Sequence, residues 1–225
     1  LEYRSAKRAK FATLELTKTI DKVVDRFKVL VNGKDKAGEF YRKSFTALFA
    51  YVSNRIPEIT DELYKIDDAM KAGFGWEHGP FQIWDAIGVE KGIELMKAEG
   101  LEPAAWVHEM LASGSKSFYS LKDGATYAYD IPIKTQTKVP GQGSFIILDN
   151  IRKTNEVFKN SGVVIEDIGD GILNLEFQSK MNTIGGDVLA GLNKAIDLAE
   201  KDFAGLVVGN QAANFSVGAN IGMIF

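Results

Sequence analysis

No cysteine occurs among the 225 residues, which excludes a disulfide scaffold, a thiolate metal site and a cysteine nucleophile, and fits a reducing cytoplasm. Histidine is nearly absent as well, with only His78 and His108. The run His-Glu-Met-Leu-Ala from His108 lacks the second histidine that a helical zinc pair needs, so both histidines read as surface or structural residues. No stretch approaches the roughly 18 apolar residues of a membrane span, and the opening LEYRSAKRAKFATLEL is too charged for a secretory apolar core. An excess of positive charge is missing too. With 27 Lys and Arg against 30 Asp and Glu the formal charge is −3, which argues against a nucleic-acid or polybasic membrane surface. There is no P-loop and no G-x-S-x-G elbow. What remains, 45% hydrophobic and 25% charged, is the composition of a soluble cytoplasmic protein whose partners are small molecules or other proteins.

Up to about Ser113 the apolar residues recur at helical spacing. Phe11, Leu14, Leu16, Ile20, Val23, Val24, Phe27 and Val31 predict one first helix, stopped at Asn32-Gly33. AGEFYRKSFTALFAYVSNRI, apolar on nearly every side, predicts a buried second helix. ITDELYKIDDAMKAG predicts a third, ending at Gly73. VEKGIELMKAEG, closed by Gly100, and PAAWVHEMLASG, opened by Pro103 at its first position, follow. Residues 114–144 lose the pattern and read as a linker carrying a hairpin, since YSLKDGATYAYD sets Asp-Gly between two β-prone runs. Beyond it the texture is β, β, α, β. VVIEDIGDGILNLEF is a hairpin and GGDVLAGLNKAIDLAEKDF a helix with Val188, Leu189, Leu192, Ile196 and Leu198 apolar, before a buried strand GLVVG.

Three features invite a ligand and read more simply as structure. GFGWEHG, Gly73 to Gly79, has its third glycine one residue late for a dinucleotide loop and follows a helix, so it reads as a packed interhelical turn. Asp67 and Asp68 are adjacent and point apart on a helix, which suits capping or solvation better than paired acid-base work. The aromatics Phe74, Trp76, Phe81 and Trp84 read as packing around Gly79-Pro80 rather than a ligand cage. The closing loop is different. In NFSVGAN the small residues Ser216, Gly218 and Ala219 let the backbone approach a ligand and leave N–H groups free for negative charge.

Two segments carry a resemblance. Ile66, Asp67, Ala69, Met70, Gly73, Gly79, Pro80, Phe81, Asp85, Gly88 and Val89 follow the order of a signature in the C-terminal helical domain of 3-hydroxyacyl-CoA dehydrogenases. The run from Val164 onward, with SKMN at Ser179–Asn182 and FSVGAN at Phe215–Asn220, resembles the opening of an enoyl-CoA hydratase, or crotonase, domain. The resemblance implies an α+β chain. Residues 1–113 would be an all-α helical domain of the 6-phosphogluconate-dehydrogenase-like kind, 114–144 a linker, and 145–225 a partial crotonase-like ββαβ segment cut at Phe225.

By this resemblance the parent is a bacterial fatty-acid β-oxidation enzyme that hydrates a 2-enoyl-CoA and oxidises the 3-hydroxyacyl-CoA with NAD. The Ala219 N–H would be the first oxyanion donor, with Gly218 giving the backbone room. Met181 and Asn182 match the segment beside the CoA adenine, Lys180 would meet a CoA phosphate, and Phe215 lies in the substrate loop. The NAD domain would precede Leu1, and the second donor and the acid-base glutamates would follow Phe225. Hence the chain alone is expected to be inactive, with a homodimer contact through its helical half. The alternatives are a free-standing acyl-CoA-binding module and a dimerisation unit.

Overall fold

The computed structural model describes Tyr3 and residues 10–223. Phe225, and with it the expected cut, lies outside the described residues, as does most of the opening through Ala9. Among the described residues there are nine α-helices and two small sheets, an α+β fold. The chain forms two compact units, residues 1–120 with 127–139, and residues 121–126 with 140–225.

The first unit is built on seven helices: α1 (Ala12–Thr17), α2 (Val23–Asn32), α3 (Lys36–Asn54), α4 (Leu63–Phe74), α5 (Pro80–Ile87), α6 (Val89–Ala98) and α7 (Ala105–Ala112). The single first helix expected from Phe11 to Val31 is two. The Thr17 and Thr19 hydroxyls donate to the Leu14 and Leu16 carbonyls and Arg26 reaches the Ile20 and Asp21 carbonyls, so side chains replace the helical ladder there. Helix α3 is not buried all round, because Phe40 and Tyr51 are 65% and 63% exposed. Helix α4 runs past Gly73 to Phe74 and stops at Gly75, whose φ of 67° is the left-handed cap. Pro103 precedes α7 by two residues rather than opening it.

Helix α5, PFQIWDAI, supplies the centre of this core. Trp84 is fully buried, stacks on Phe49 with centroids 4.9 Å apart, and meets Phe118 at 4.9 Å. Its Nε1 donates to the Val89 carbonyl at 3.0 Å, and a Cβ at Gly92 would fall 2.1 Å from that nitrogen. Of the aromatic set, Phe81 and Trp84 are core, whereas Phe74 and Trp76 are exposed.

The start of α5 is capped from another helix. Its N-cap is Gly79, which has no side chain to offer, and the Asp67 carboxylate of α4 accepts from the Phe81 N–H at 2.9 Å and the Gln82 N–H at 3.1 Å. The Tyr119 hydroxyl donates to the same carboxylate at 2.8 Å. Gly79 must be glycine, since a Cβ would sit 2.3 Å from that of Asp67. Asp85 repeats the device, accepting from the Phe118 and Tyr119 N–H groups at 2.8 Å each. Asp68, by contrast, is exposed and pairs with Lys71.

The segment read as a linker holds a three-stranded sheet, β1 (Tyr119–Lys122), β2 (Ala125–Asp130) and β3 (Thr135–Lys138), in the order β1-β2-β3. The Asp123-Gly124 turn is where the hairpin signature put it, with φ of 51° and 69°. Strand β3 pairs antiparallel with β2, from Tyr127 opposite Lys138 to Asp130 opposite Thr135. Phe118, Ala128 and Tyr129 are buried in the first unit's core, so these residues are more than a tether.

In the second unit the expected β, β, α, β order is preceded by a helix and a strand. The elements run α8 (Leu148–Asn155), β4 (Glu156–Lys159), β5 (Val163–Asp167), β6 (Ile172–Phe177), α9 (Gly186–Asp202) and β7 (Gly205–Val208), with sheet order β4-β5-β6-β7 and only β6–β7 parallel. Val163, Ile165, Leu173, Leu175 and Phe177 pack with Val188 and Ala195 of α9. The buried stripe of α9 is Val188, Gly191 and Ala195, and of the apolar positions Leu189 and Ile196 are exposed. A Cβ at Gly191 would lie 2.2 Å from Val163 Cγ2, so the helix touches the sheet through a glycine. Strand β7 is an edge with Val207 and Val208 exposed, not the buried strand expected.

Two outcomes follow from the buried carboxylates. Asp67→Ala leaves two N–H donors and a hydroxyl unpaired and should lower stability by about 3 kcal/mol, read from denaturant midpoints by tryptophan fluorescence, since Trp76, Trp84 and Trp106 all lie in the first unit. Burial raises the Asp67 carboxyl to about 6 and the Asp85 carboxyl to about 7, against the backbone donors that lower both. The folded state therefore holds these protons more tightly than the unfolded state. Their contribution is present below the ordinary carboxylate range and lost as pH rises through 6 to 7. The same midpoint should be lower at about pH 8 than at about pH 5, with a flatter profile in Asp67→Asn.

Candidate functional site

The loop from Phe215 to Asn220 follows β7 in the second unit and is held against Ile184 by an isolated parallel bridge. The Ile184 N–H donates to the Gly218 carbonyl and the Asn220 N–H to the Ile184 carbonyl, each at 2.9 Å. These two bonds use the residues on either side of Ala219. In a parallel bridge the middle residue turns its own N–H and C=O to the opposite side, and the Ala219 N–H has no partner among the described residues. Gly218 holds φ at 93° with nothing within 4 Å of a notional Cβ, so its need for glycine is conformational rather than steric. Ser216 Oγ accepts from the Gly218 N–H at 3.0 Å and closes the turn.

The SKMN segment lies on the near side of this loop. Lys180, Met181 and Asn182 form one 3-10 turn in which Met181 and Asn182 both take left-handed backbone, at φ of 56° and 54°. Asn182 is buried, and its side-chain amide donates to the Asn214 carbonyl at 3.0 Å while its carbonyl accepts from Ser216 Oγ at 2.6 Å. Met181 is 61% exposed, and Phe215 is exposed with its ring 5.8 Å from that of Phe177. Lys180 and Asn220 line a cavity of about 380 Å³ together with Ser179 and the Gly185-Gly186 start of α9. Asn182, Phe215, Gly218 and Ala219 thus belong to one hydrogen-bonded assembly, with Lys180 on a neighbouring concavity.

A second group of residues escaped the sequence reading. On the sheet face away from α9, Glu166 and Glu176 are buried beside Asn174, and Arg152 of α8 reaches both, at 2.6 Å to Glu176 Oε2 and 3.5 Å to Glu166 Oε1. Arg152 also pairs with Asp149. Arg152 Nε and Glu166 Oε1 make no hydrogen bond among the described residues. Burial, then the Glu176 charge, pushes the Glu166 carboxyl up. Burial alone would lower the Arg152 guanidinium, but Glu176 and Asp149 raise it. The signal was available in VVIED and ILNLEF, where Val164-Glu166 and Asn174-Glu176 alternate with the apolar residues that face α9.

Other candidates do not build sites. GFGWEHG is a helix-to-helix turn, with Gly75 ending α4 and Gly79 starting α5, so it offers no strand-to-helix cradle for a pyrophosphate and does not fit NAD. His78 stands edge-on to Phe27 at 6.0 Å, and His108 is half-exposed near Glu102. No group of three or more His, Asp or Glu among the described residues could hold a metal ion, and no described helix is long and apolar enough to cross a membrane.

The chain is similar to proteins named for 3-hydroxyacyl-CoA dehydrogenase activity and for fatty-acid oxidation. The chain is 36% identical over 225 residues to a protein of Bacillus subtilis (strain 168) named "Probable 3-hydroxyacyl-CoA dehydrogenase", covering all of this chain and 28% of that one. It is 23% identical over 195 residues to a "Putative fatty acid oxidation complex trifunctional enzyme" of Rickettsia felis, covering 83% of this chain and 23% of that protein. The identically named protein of Rickettsia prowazekii is 24% identical over 195 residues, 87% of this chain and 24% of that one. The chain spans about a quarter of the length of these curated relatives. No family model and no solved structure matches it.

Arg152 compensates two buried carboxylates, so Arg152→Met should destabilise the second unit by about 2 kcal/mol, reduced from the fully buried case because the arginine is partly exposed. Glu166→Gln breaks no hydrogen bond at Oε1 and trades the 3.5 Å ion pair with Arg152 for a smaller net negative charge, so it should stay within about 0.5 kcal/mol of the parent. Amide exchange of β5 and β6 measures both.

Proposed function

We propose that this chain is a segment of a fatty-acid β-oxidation enzyme that oxidises 3-hydroxyacyl-CoA with NAD and hydrates 2-enoyl-CoA. The observation that carries the dehydrogenase part is the 36% identity along all 225 residues to a protein named for that activity. In this reading residues 1–113 are the dehydrogenase helical domain, 114–144 the connection, and 145–225 the opening of the hydratase domain. NAD supplies hydride acceptance in such enzymes when bound, and it belongs to a part of the parent outside this chain, since the described glycine-rich turn does not fit it.

The hydratase part is supported by the Ala219 N–H, unpaired and turned away from the Ile184 bridge. Hydration of an enoyl thioester places negative charge on the thioester oxygen, and a fixed backbone N–H aimed at that oxygen stabilises the developing enolate without reorganising. Gly218 holds the turn that presents the donor, and Phe215 flanks the acyl-CoA path. The backbone of Met181 and Asn182 lies beside the adenine, and Lys180 meets a CoA phosphate. This sequence matches one oxyanion donor and no acid-base pair. The chain by itself therefore turns over neither substrate, and its helical half supplies the contact for a homodimer.

Ala219→Pro removes the donor and leaves the bridge, which uses groups of Gly218 and Asn220. In the longer enzyme it should lower kcat for crotonyl-CoA hydration by about 10²–10³, with NAD-dependent oxidation of 3-hydroxybutyryl-CoA unchanged. Hydration of crotonyl-CoA by the 225-residue chain, or its absence from the longer enzyme, overturns the reading.

A further inference from the structure

Besides the Ile184 bridge and the Phe177–Phe215 ring contact, the loop that presents Ala219 is tied down by side-chain amides. Asn210 accepts from the Phe177 N–H at 2.6 Å and donates to the Phe215 carbonyl at 3.0 Å, so one amide joins the end of β6 to the start of the Phe215–Asn220 loop. Gln211, the next residue, accepts from the Leu148 N–H at 2.8 Å and donates to the Ile146 carbonyl at 2.6 Å, joining the stretch that leads from β7 into that loop to the chain entering α8. Helix α8 is itself fixed to β6 through Arg152 and Glu176. Between Gly209, which donates to the Leu175 carbonyl, and Asn214, which accepts from Asn182, Asn210 and Gln211 make the side-chain connections, and Ala212 and Ala213 can make none.

We propose that Asn210 and Gln211 are positioning residues that aim the Ala219 N–H, and that Gln211 makes this aim depend on the segment Ile146–Leu148. The proposal rests on the oxyanion reading of Ala219. Asn210 sets the distance of the loop from the sheet edge. Gln211, exposed and using both ends of its amide, transmits the position of the entering chain. Order in the segment before α8 is thereby coupled to order in the loop.

Amide exchange of the 225-residue chain by NMR tests the brace without needing activity. The Ile184 and Asn220 amides form the bridge that orients Ala219. Gln211→Ala, at an exposed position, and Asn210→Ala should each speed their exchange about tenfold, leaving the β5 amides unchanged. Unchanged exchange at Ile184 and Asn220, or equal acceleration in β5, overturns the proposal. In the longer enzyme Gln211→Ala should lower kcat for crotonyl-CoA hydration several-fold and leave KM within about twofold, the split expected when a transition-state donor is misaimed. Loss confined to KM overturns the positioning role. A longer enzyme with no hydratase activity, but with the loop still loosened in the variants, overturns it through the oxyanion reading alone.

Discussion

The Asp67 carboxylate, buried without a cation and filled by two backbone N–H groups and a tyrosine hydroxyl, fixes the first unit's geometry. A helix that starts at a glycine lacks a capping side chain of its own. Here that deficiency is met from α4, which can come close enough only because residue 79 has no Cβ. The three elements tied to one carboxylate then set where Phe81 and Trp84 enter the core. The signature residues Asp67, Gly79, Pro80, Phe81 and Asp85 thus have a common physical reason. They make a buried capping arrangement that joins α4, α5 and the start of β1.

Local signals were legible where one residue type decides the geometry. Asp123-Gly124 and Gly169-Asp170-Gly171 marked both hairpins, and Asn32-Gly33 and Gly100 marked helix ends. Failures came where a neighbouring element decides. The break between α1 and α2 depends on threonine hydroxyls and on Arg26, which periodicity does not weigh. Helix α5 is short and its first N–H groups are capped from α4, so its start signals in PFQIWDAI reduce to Pro80 and to Gln82, whose side chain accepts from the Gly79 N–H. Exposure of Leu189, Ile196 and Val207 depends on which surfaces a short sheet covers, a tertiary fact.

The second unit uses the faces of its sheet for different purposes. One face, under α9, is aliphatic and dry. The other holds Glu166, Asn174 and Glu176 against Arg152, a net negative group whose desolvation has to be offset by good geometry. The loop of interest begins at the end of the parallel strand and borrows from both, since Phe177 faces Phe215 from the first and Asn174 donates to the Gly209 carbonyl from the second. The candidate residues in this loop were readable as a string of small side chains. The amides that hold them were not, because Asn182, Asn210 and Gln211 act over distances that spacing in sequence does not reveal.

The contact of Gly191 with Val163 carries a consequence for how this unit can vary. A side chain at 191 would occupy the space of the valine methyl, so 191 stays glycine while Val163 is kept. An alanine at 191 becomes acceptable only after 163 shrinks, and a larger residue at 163 only if α9 lifts from the sheet. Variation at the pair is therefore ordered in sequence space: a lineage reaches a side chain at 191 by way of a smaller residue at 163.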